Sequence, residues 1–208
     1  MASCLLMTGW VVAGNPGLAP ESGHRPWQLI SETRAGRIYH RDVEGSSIPM
    51  AMVVTQFESS PATLYAVVTD YEHFEDFIPN VVESRVIRAS EGFQWVFHRL
   101  HFPGPVADRV YVIRSQKQSG RIREGWFRVT WQLAAGMLAE VDTARGIEPE
   151  SFSGFWDLRP LGDGKTVEAR YAVHSDPAGF IPVWLVVKMT DRYLQQVVTA
   201  VRERLGYR

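Results

Sequence analysis

Cysteine is almost absent: Cys4 is the single one in 208 residues. No intramolecular disulfide can form, and neither a zinc finger nor a Cys-x-x-Cys redox pair can be drawn. Charge of either sign is not in excess, since 22 Lys and Arg stand against 23 Asp and Glu, a net of −1. Such a balance gives no bulk attraction to nucleic acid or to anionic membrane, and no nucleic-acid partner is expected. The chain has no repeats, no Gly-x-Ser-x-Gly elbow, no phosphate-binding loop and no dinucleotide fingerprint, so no cofactor is expected. The apolar run Cys4 to Ala13 is too short to cross a bilayer, which takes about 20 residues.

Charge is also missing from Met1 to Pro20. With its apolar run and the small residues Ala13 and Gly14, this stretch reads as the hydrophobic and cleavage parts of a secretory signal, without the positive segment that usually precedes them. Residues 1–23 are therefore expected to be a leader, the remnant of such a signal, and 24–208 a single domain. A periplasmic or secreted location is favoured over a cytoplasmic one.

Large rings, by contrast, are plentiful: seven Trp, ten Phe and seven Tyr. The segment that organises the rest is His174 to Arg208. The turn Asp176-Pro177-Ala178-Gly179 opens it, and Pro182 sits where a helix start tolerates proline. From there to Leu205 no Gly or Pro intervenes. At 100° per residue Val186, Met189, Thr190, Tyr193, Leu194, Val197, Val198, Ala200, Val201 and Leu205 share a face, with Lys188, Asp191, Arg192 and Gln196 opposite. An apolar arc this wide suits a long helix laid across a curved sheet. Met189, Tyr193 and Val197 on that face are candidates to roof a cavity.

Upstream, His24 to Glu32 reads as a short helix and Gly36 to Asp42 as a strand. Ile48 to Phe57 reads as a second strand. Ser60 caps a helix with Pro61 at its first position, and Tyr71 to Phe77 continues as a short aromatic helix. Strands follow at Val81–Ala89, Phe93–Leu100, Val106–Gln116, Trp126–Leu133 and Phe152–Arg159, and a last one carries Val167, Ala169, Tyr171 and Val173. The stretch from Ala134 to Ser151 reads as a loop with a fragment of strand. The period of two puts Trp95 with Phe97, and Phe127 with Val129 and Trp131. The order implies a two-layer α+β fold: a curved antiparallel sheet wrapped around a long C-terminal helix.

Three blocks resemble a known family. WQLISETRAGRIYHRD (Trp27 to Asp42) is similar to the opening of START domains, the lipid-transfer group of the helix-grip (Bet v 1-like, SRPBCC) superfamily. FPGPVADRVYVIR (Phe102 to Arg114) resembles that family's strand entry, although Asp108 here precedes Arg109 where the family usually places the acid after it. WDLRPLGDGKT and DPAGFIPVWLVVK resemble its carboxyl-terminal signature. Asp70 to Ile87 is also similar to the coenzyme Q-binding and polyketide-cyclase branches, and to a ribosome-directed relative of the same fold.

The resemblance implies a non-catalytic carrier that holds a lipid, sterol-like molecule or quinone between sheet and final helix, with transient membrane contact as a further partner. Rings on the faces assigned inward supply wall material: Trp95, Phe97, Trp131, Trp156 and Tyr171. Arg109, in an apolar strand, must find a ligand headgroup or a structural acid such as Asp108. Catalysis has less to build on. His98 and His101 do not share a strand face, so no metal site is expected there. Tyr171, His174 and Asp176 lie close in sequence and are the candidates for acid–base chemistry of the cyclase or aromatase kind; a plain turn with His174 exposed is the alternative.

Overall fold

Strand signals dominate between residues 28 and 176, and the computed structural model places them in one nine-stranded antiparallel sheet. It describes residues 25–102, 107–118, 125–141 and 146–206; the leader, residues 1–23, lies outside them. The strands are β1 (Gln28–Glu32), β2 (Arg37–Arg41), β3 (Met50–Phe57), β4 (Val81–Ser90), β5 (Phe93–Leu100), β6 (Arg109–Gln118), β7 (Phe127–Leu133), β8 (Ser151–Leu161) and β9 (Thr166–Asp176). Their order across the sheet is β1-β2-β3-β9-β8-β7-β6-β5-β4. Helices α1 (Pro61–Val68) and α2 (Phe74–Phe77), with a 3-10 turn at Tyr71–His73 between them, connect β3 to β4. Helix α3 (Val183–Arg204) closes the chain.

Local chemistry sets the helix ends. The Ser60 side chain accepts a hydrogen bond from the Thr63 amide, and Pro61 occupies the first turn of α1, where its missing N–H is no loss. Pro182 caps α3. The 22-residue helix buries Val186, Leu194, Val197, Val198, Ala200 and Val201 against the sheet's concave face, the helix-grip arrangement. About 2 kcal/mol per fully buried aliphatic side chain makes this stripe the main glue between the layers.

Three sequence expectations change. Residues 28–32 form an edge strand, not a helix: Gln28 to Glu32 pair antiparallel with His40 to Arg37. A run with apolar residues at 27, 29 and 30 fits either period. The open edge of β2 decides in favour of a strand, while Trp27 packs on the outer face under the Arg41 guanidinium, 4.4 Å away. Within the Ala134 to Ser151 stretch, Met137–Glu140 forms a 3-10 turn and Ile147 makes one parallel bridge to Arg109. The third change concerns β5, whose Trp95 and Phe97 lie on the outer face of the sheet, away from α3.

Candidate functional site

Face assignment follows from register, because directly opposed residues of neighbouring strands share a face. Trp131 opposes Ser115, which puts Ser115, Ile113 and Tyr111 of β6 on the concave side. Tyr111 opposes His98, so the concave residues of β5 are Val96, His98 and Leu100. Across the sheet, Trp156 of β8 opposes Tyr171 of β9, and their rings stack with centroids 4.2 Å apart at 12°. Trp131 opposes Gly154. A Cβ at that glycine would stand 2.4 Å from the indole and 2.2 Å from the Ala172 carbonyl, so only glycine lets the Trp131 ring lie flat on β8.

These rings bound a pocket between the sheet, α3 and the connection that runs from Val68 to Val81. The sheet contributes His98, Tyr111, Ile113, Trp131, Phe152, Trp156 and Tyr171, and α3 contributes Tyr193, Val197 and Val201. Its free volume is about 60 Å³. That is room for a few waters, well below the roughly 300 Å³ at which ligand pockets begin. A larger hollow of about 510 Å³ lies on the outer side, but Arg85, Arg88 and Glu140 line it, which suits water rather than an apolar molecule.

The pocket's polar groups are uncharged. Complete burial pushes the His98 imidazole down to about 3, so it is neutral at physiological pH; its ring stacks on Phe74 at 5.9 Å and 17°. Burial, reinforced by the Tyr193 phenol, raises Tyr111 and Tyr171, the latter also through Tyr111, and burial alone raises Tyr193. Tyr71 is held up at about 12 by burial, against the opposing effect of its 2.7 Å hydrogen bond with the Ser115 hydroxyl. Two buried nitrogens of lining residues, His98 Nδ1 and Trp131 Nε1, have no hydrogen-bond partner within the described residues.

Of the nine residues singled out from sequence, Trp131, Trp156, Tyr171, Tyr193 and Val197 come together around this pocket. The other four do not. Trp95 and Phe97 are on the outer face, with the guanidinium groups of Arg88 and Arg85 over their rings and with Val110, Val112 and Val141 around them. Alternation separates two faces of β5, yet both are apolar, and periodicity alone does not say which is concave. Met189 points outward from α3 and is 37% exposed; at the rim of a wide apolar arc, the helix's rotation decides. Arg109 is buried, and its guanidinium donates to the carbonyls of Pro177, Ala178 and Ala107. It fastens the turn before α3 to the sheet and is not in the pocket. Asp108 instead contacts His101, at 2.9 Å.

The acid–base candidates are not assembled either. Tyr171 faces the pocket, whereas His174, three residues along the same strand, falls on the opposite face and is buried, not exposed. Asp176 accepts from the Ala178 amide. Sequence reasoning missed His98, Tyr111 and Phe152 as lining residues. The signal that finds Tyr111 and His98 is the register path Trp131–Ser115–Tyr111–His98, which requires strand pairing.

Residues 57–202 match the family described as polyketide cyclase / dehydrase and lipid transport. An uncharacterized protein of Pseudomonas aeruginosa is 26% identical over 169 residues, 81% of each chain. Solved structures of similar fold include a fragment of a STAR-related lipid transfer protein from Xanthomonas axonopodis, with a TM-score of 0.72 at 22% identity over 86% of this chain and 98% of that one. The human StAR-related lipid transfer protein 5 gives 0.74 at 11% identity over 85% of each. The Zhui aromatase/cyclase of a Streptomyces species gives 0.52 at 12% identity, covering 76% of this chain and 98% of that one. At these identities the likeness establishes the START-like fold.

Proposed function

The chain belongs to the polyketide cyclase / dehydrase and lipid transport family, and on that footing we propose that it carries an apolar small molecule between the sheet and α3. One observation bears most of the weight: the concave face gathers Trp131, Trp156, Tyr171, Tyr111 and Phe152 under Tyr193 and Val197 as pocket lining. At about 60 Å³ the pocket is closed down, so loading requires part of the roof to lift. The connection over the pocket is pinned to the sheet through Tyr71 to Ser115, Ser84 to the Tyr71 carbonyl, and the Val86 amide to Glu72. Helix α3 is tied at Asp191 to His40 and at Arg202 to Thr55. Its first two turns, ahead of Asp191, are the segment that moves in this reading.

The same end of α3 is the proposed membrane contact. Phe180 is 109% exposed and Trp184 67% exposed, and Trp184, Lys188 and Arg192 follow one another at helical i, i+4 spacing on exposed positions. An aromatic ring with cations a turn away suits a headgroup boundary. Among the described residues no helix is long and apolar enough to cross a membrane, so this contact is peripheral.

An enzyme of the cyclase kind is the weaker reading. A general base works best with a pKa near the operating pH; His98, held at about 3, is far from it, and among the described residues no carboxylate lines the pocket. Native mass spectrometry of the purified protein, before and after organic extraction, tests the carrier reading. A stoichiometric apolar molecule supports it. An empty protein that takes up no fluorescent lipid sinks it.

Export, read from residues 1–23, is proposed with it. A native chain whose sequenced amino terminus lies beyond the apolar run supports export, and an intact Met1 on a cytosolic product overturns it.

A further inference from the structure

Strand β4 is irregular where the outer hollow lies. Val86 opposes Val96, but the next pair is Arg88 with Trp95, so Ile87 is an extra residue, a β-bulge. In an unbroken ladder Ile87 would oppose Trp95, and Arg88 would fall opposite Gln94 on the concave face. The bulge instead brings Arg88 to the convex side, where Arg85 already opposes Phe97 and where Ile87 packs with the outer cluster. Two guanidiniums and an apolar side chain thereby share one face. Bulges re-aim side chains in this way beside functional sites.

Stacking fixes both cations. The Arg85 guanidinium lies over Phe97 at 5.1 Å and that of Arg88 over Trp95 at 5.7 Å; the two rings are two residues apart on β5, roughly 7 Å of strand. A guanidinium laid on a ring keeps its N–H edge free, and two such forks at that separation can flank one carboxylate or phosphate. Each now holds a carboxylate of the chain, Glu83 at 3.2 Å from Arg85 and Glu140 at 2.8 Å from Arg88. All four side chains are more than a third exposed to solvent. Such pairs shift an equilibrium by a factor of about five at most, so they yield to a better acceptor. Arg99 shares Glu83, and three arginines therefore face two glutamates.

Beside these cations the hollow of about 510 Å³ is walled by Ile87, Met137 and Val141. Its size falls in the range of small-molecule sites, roughly 300–1,000 Å³. The pocket under α3, by contrast, has no ionised side chain among its described lining residues.

We infer that the outer hollow is a second binding site, for a small organic oxyanion: a carboxylate or phosphate ester whose charge is received between Arg85 and Arg88 and whose short apolar body lies on Ile87, Met137 and Val141. Glu140 is the resident competitor for Arg88. The site is separate from the carrier pocket, and neither depends on the other being occupied.

Titration at pH 6.5 with phenyl phosphate, benzoate, benzamide and inorganic phosphate, followed through the arginine Nε–H signals in nitrogen-15 NMR spectra, tests the site. The aryl anions should shift the Arg85 and Arg88 signals. At least one should bind about tenfold or more tighter than neutral benzamide, the worth of charge-assisted hydrogen bonds. Inorganic phosphate should bind more weakly than phenyl phosphate, because it leaves the apolar wall uncovered. Whichever aryl anion is tighter tells a carboxylic acid from a phosphate ester, and either supports the site. Arg88→Gln should weaken binding about tenfold, and Arg88→Lys, which keeps the charge without the fork, about threefold. Glu140→Gln should tighten it about threefold by removing the competitor, while Lys188→Gln on α3 should change nothing. Should Arg88→Gln fail to fold, Arg88→Lys and Glu140→Gln carry the same comparison. Benzamide as tight as the anions, inorganic phosphate as tight as phenyl phosphate, wild-type affinity in the Arg88 variants, or no binding of any probe overturns the site. Uptake of a fluorescent lipid, measured on the same sample, reads the carrier pocket independently.

Discussion

The two faces of β5 carry similar apolar surface and meet different fates. On the concave side Val96, His98 and Leu100 join the core under α2 and α3, and His98 lines the pocket. On the convex side Trp95 and Phe97 pack against Met137, Leu138 and Val141. Arg85 and Arg88 close over them, and Arg88 reaches Glu140 at 2.8 Å. The convex cluster is filled by the chain's own side chains. Unpartnered buried polar atoms occur on both faces of β5, Arg99 Nε on the convex side and Gln94 Oε1 and His98 Nδ1 on the concave side, so neither rings nor unmet polar atoms tell the faces apart; the cavity under α3, lined by the concave face, does.

Substitutions can break that comparison. Phe97→Ala empties a ring that is 2% exposed and should cost about 4 kcal/mol of stability, read by urea denaturation. Binding of a fluorescent lipid per folded molecule should not change; a matching loss of affinity would mean that the two faces are coupled. Gly154→Ala should cost about 3 kcal/mol, because its Cβ meets the Ala172 carbonyl and the Trp131 ring at once and backbone cannot yield cheaply. Here binding should suffer too, since the displaced indole is pocket wall.

Acid sharpens the difference further. His98 has a folded pKa of about 3 against an ordinary 6.5, so below pH 6.5 the unfolded chain takes up a proton that the folded chain refuses. Its contribution is intact above pH 6.5 and is lost progressively as pH falls toward 3; by pH 5 the loss is about 2 kcal/mol. His98→Phe should flatten stability between pH 6.5 and 5 by that amount, and an unchanged slope would show that His98 is not shut away from water. The smallest effect on stability is expected at the exposed end of α3. Phe180→Ser and Trp184→Ser should alter stability by no more than about 0.5 kcal/mol, yet slow transfer of a fluorescent lipid between vesicles. Equal transfer rates would remove the membrane contact from that loop.

Much of the fold was legible in order and period. Helix α3 was legible from its stripe and from the proline before it, because a helix's face is written at fixed spacing in adjacent turns. The α+β architecture followed from that helix and a run of alternating strands. Trp131, Trp156 and Tyr171 were found because their strands have one clearly apolar face; Tyr193 and Val197 lie in the middle of the helix's arc, where small errors of rotation do not matter. Met189, at its rim, had no such margin.

What sequence alone could not decide is whatever depends on partners far along the chain. Gln28–Glu32 became a strand because β2 offered an edge. Trp95 and Phe97 went outward because the register from β7 through β6 sets the parity of β5, and that register is a matter of long-range hydrogen bonds. Arg109 found three carbonyls across the fold, at Ala107, Pro177 and Ala178, where local sequence offered Asp108. The chain by itself determined which residues belong to which face of each element. Only tertiary structure decided which face looks inward and which buried polar atoms were left without a partner, since both depend on how separate elements dock and how the resulting interior excludes water.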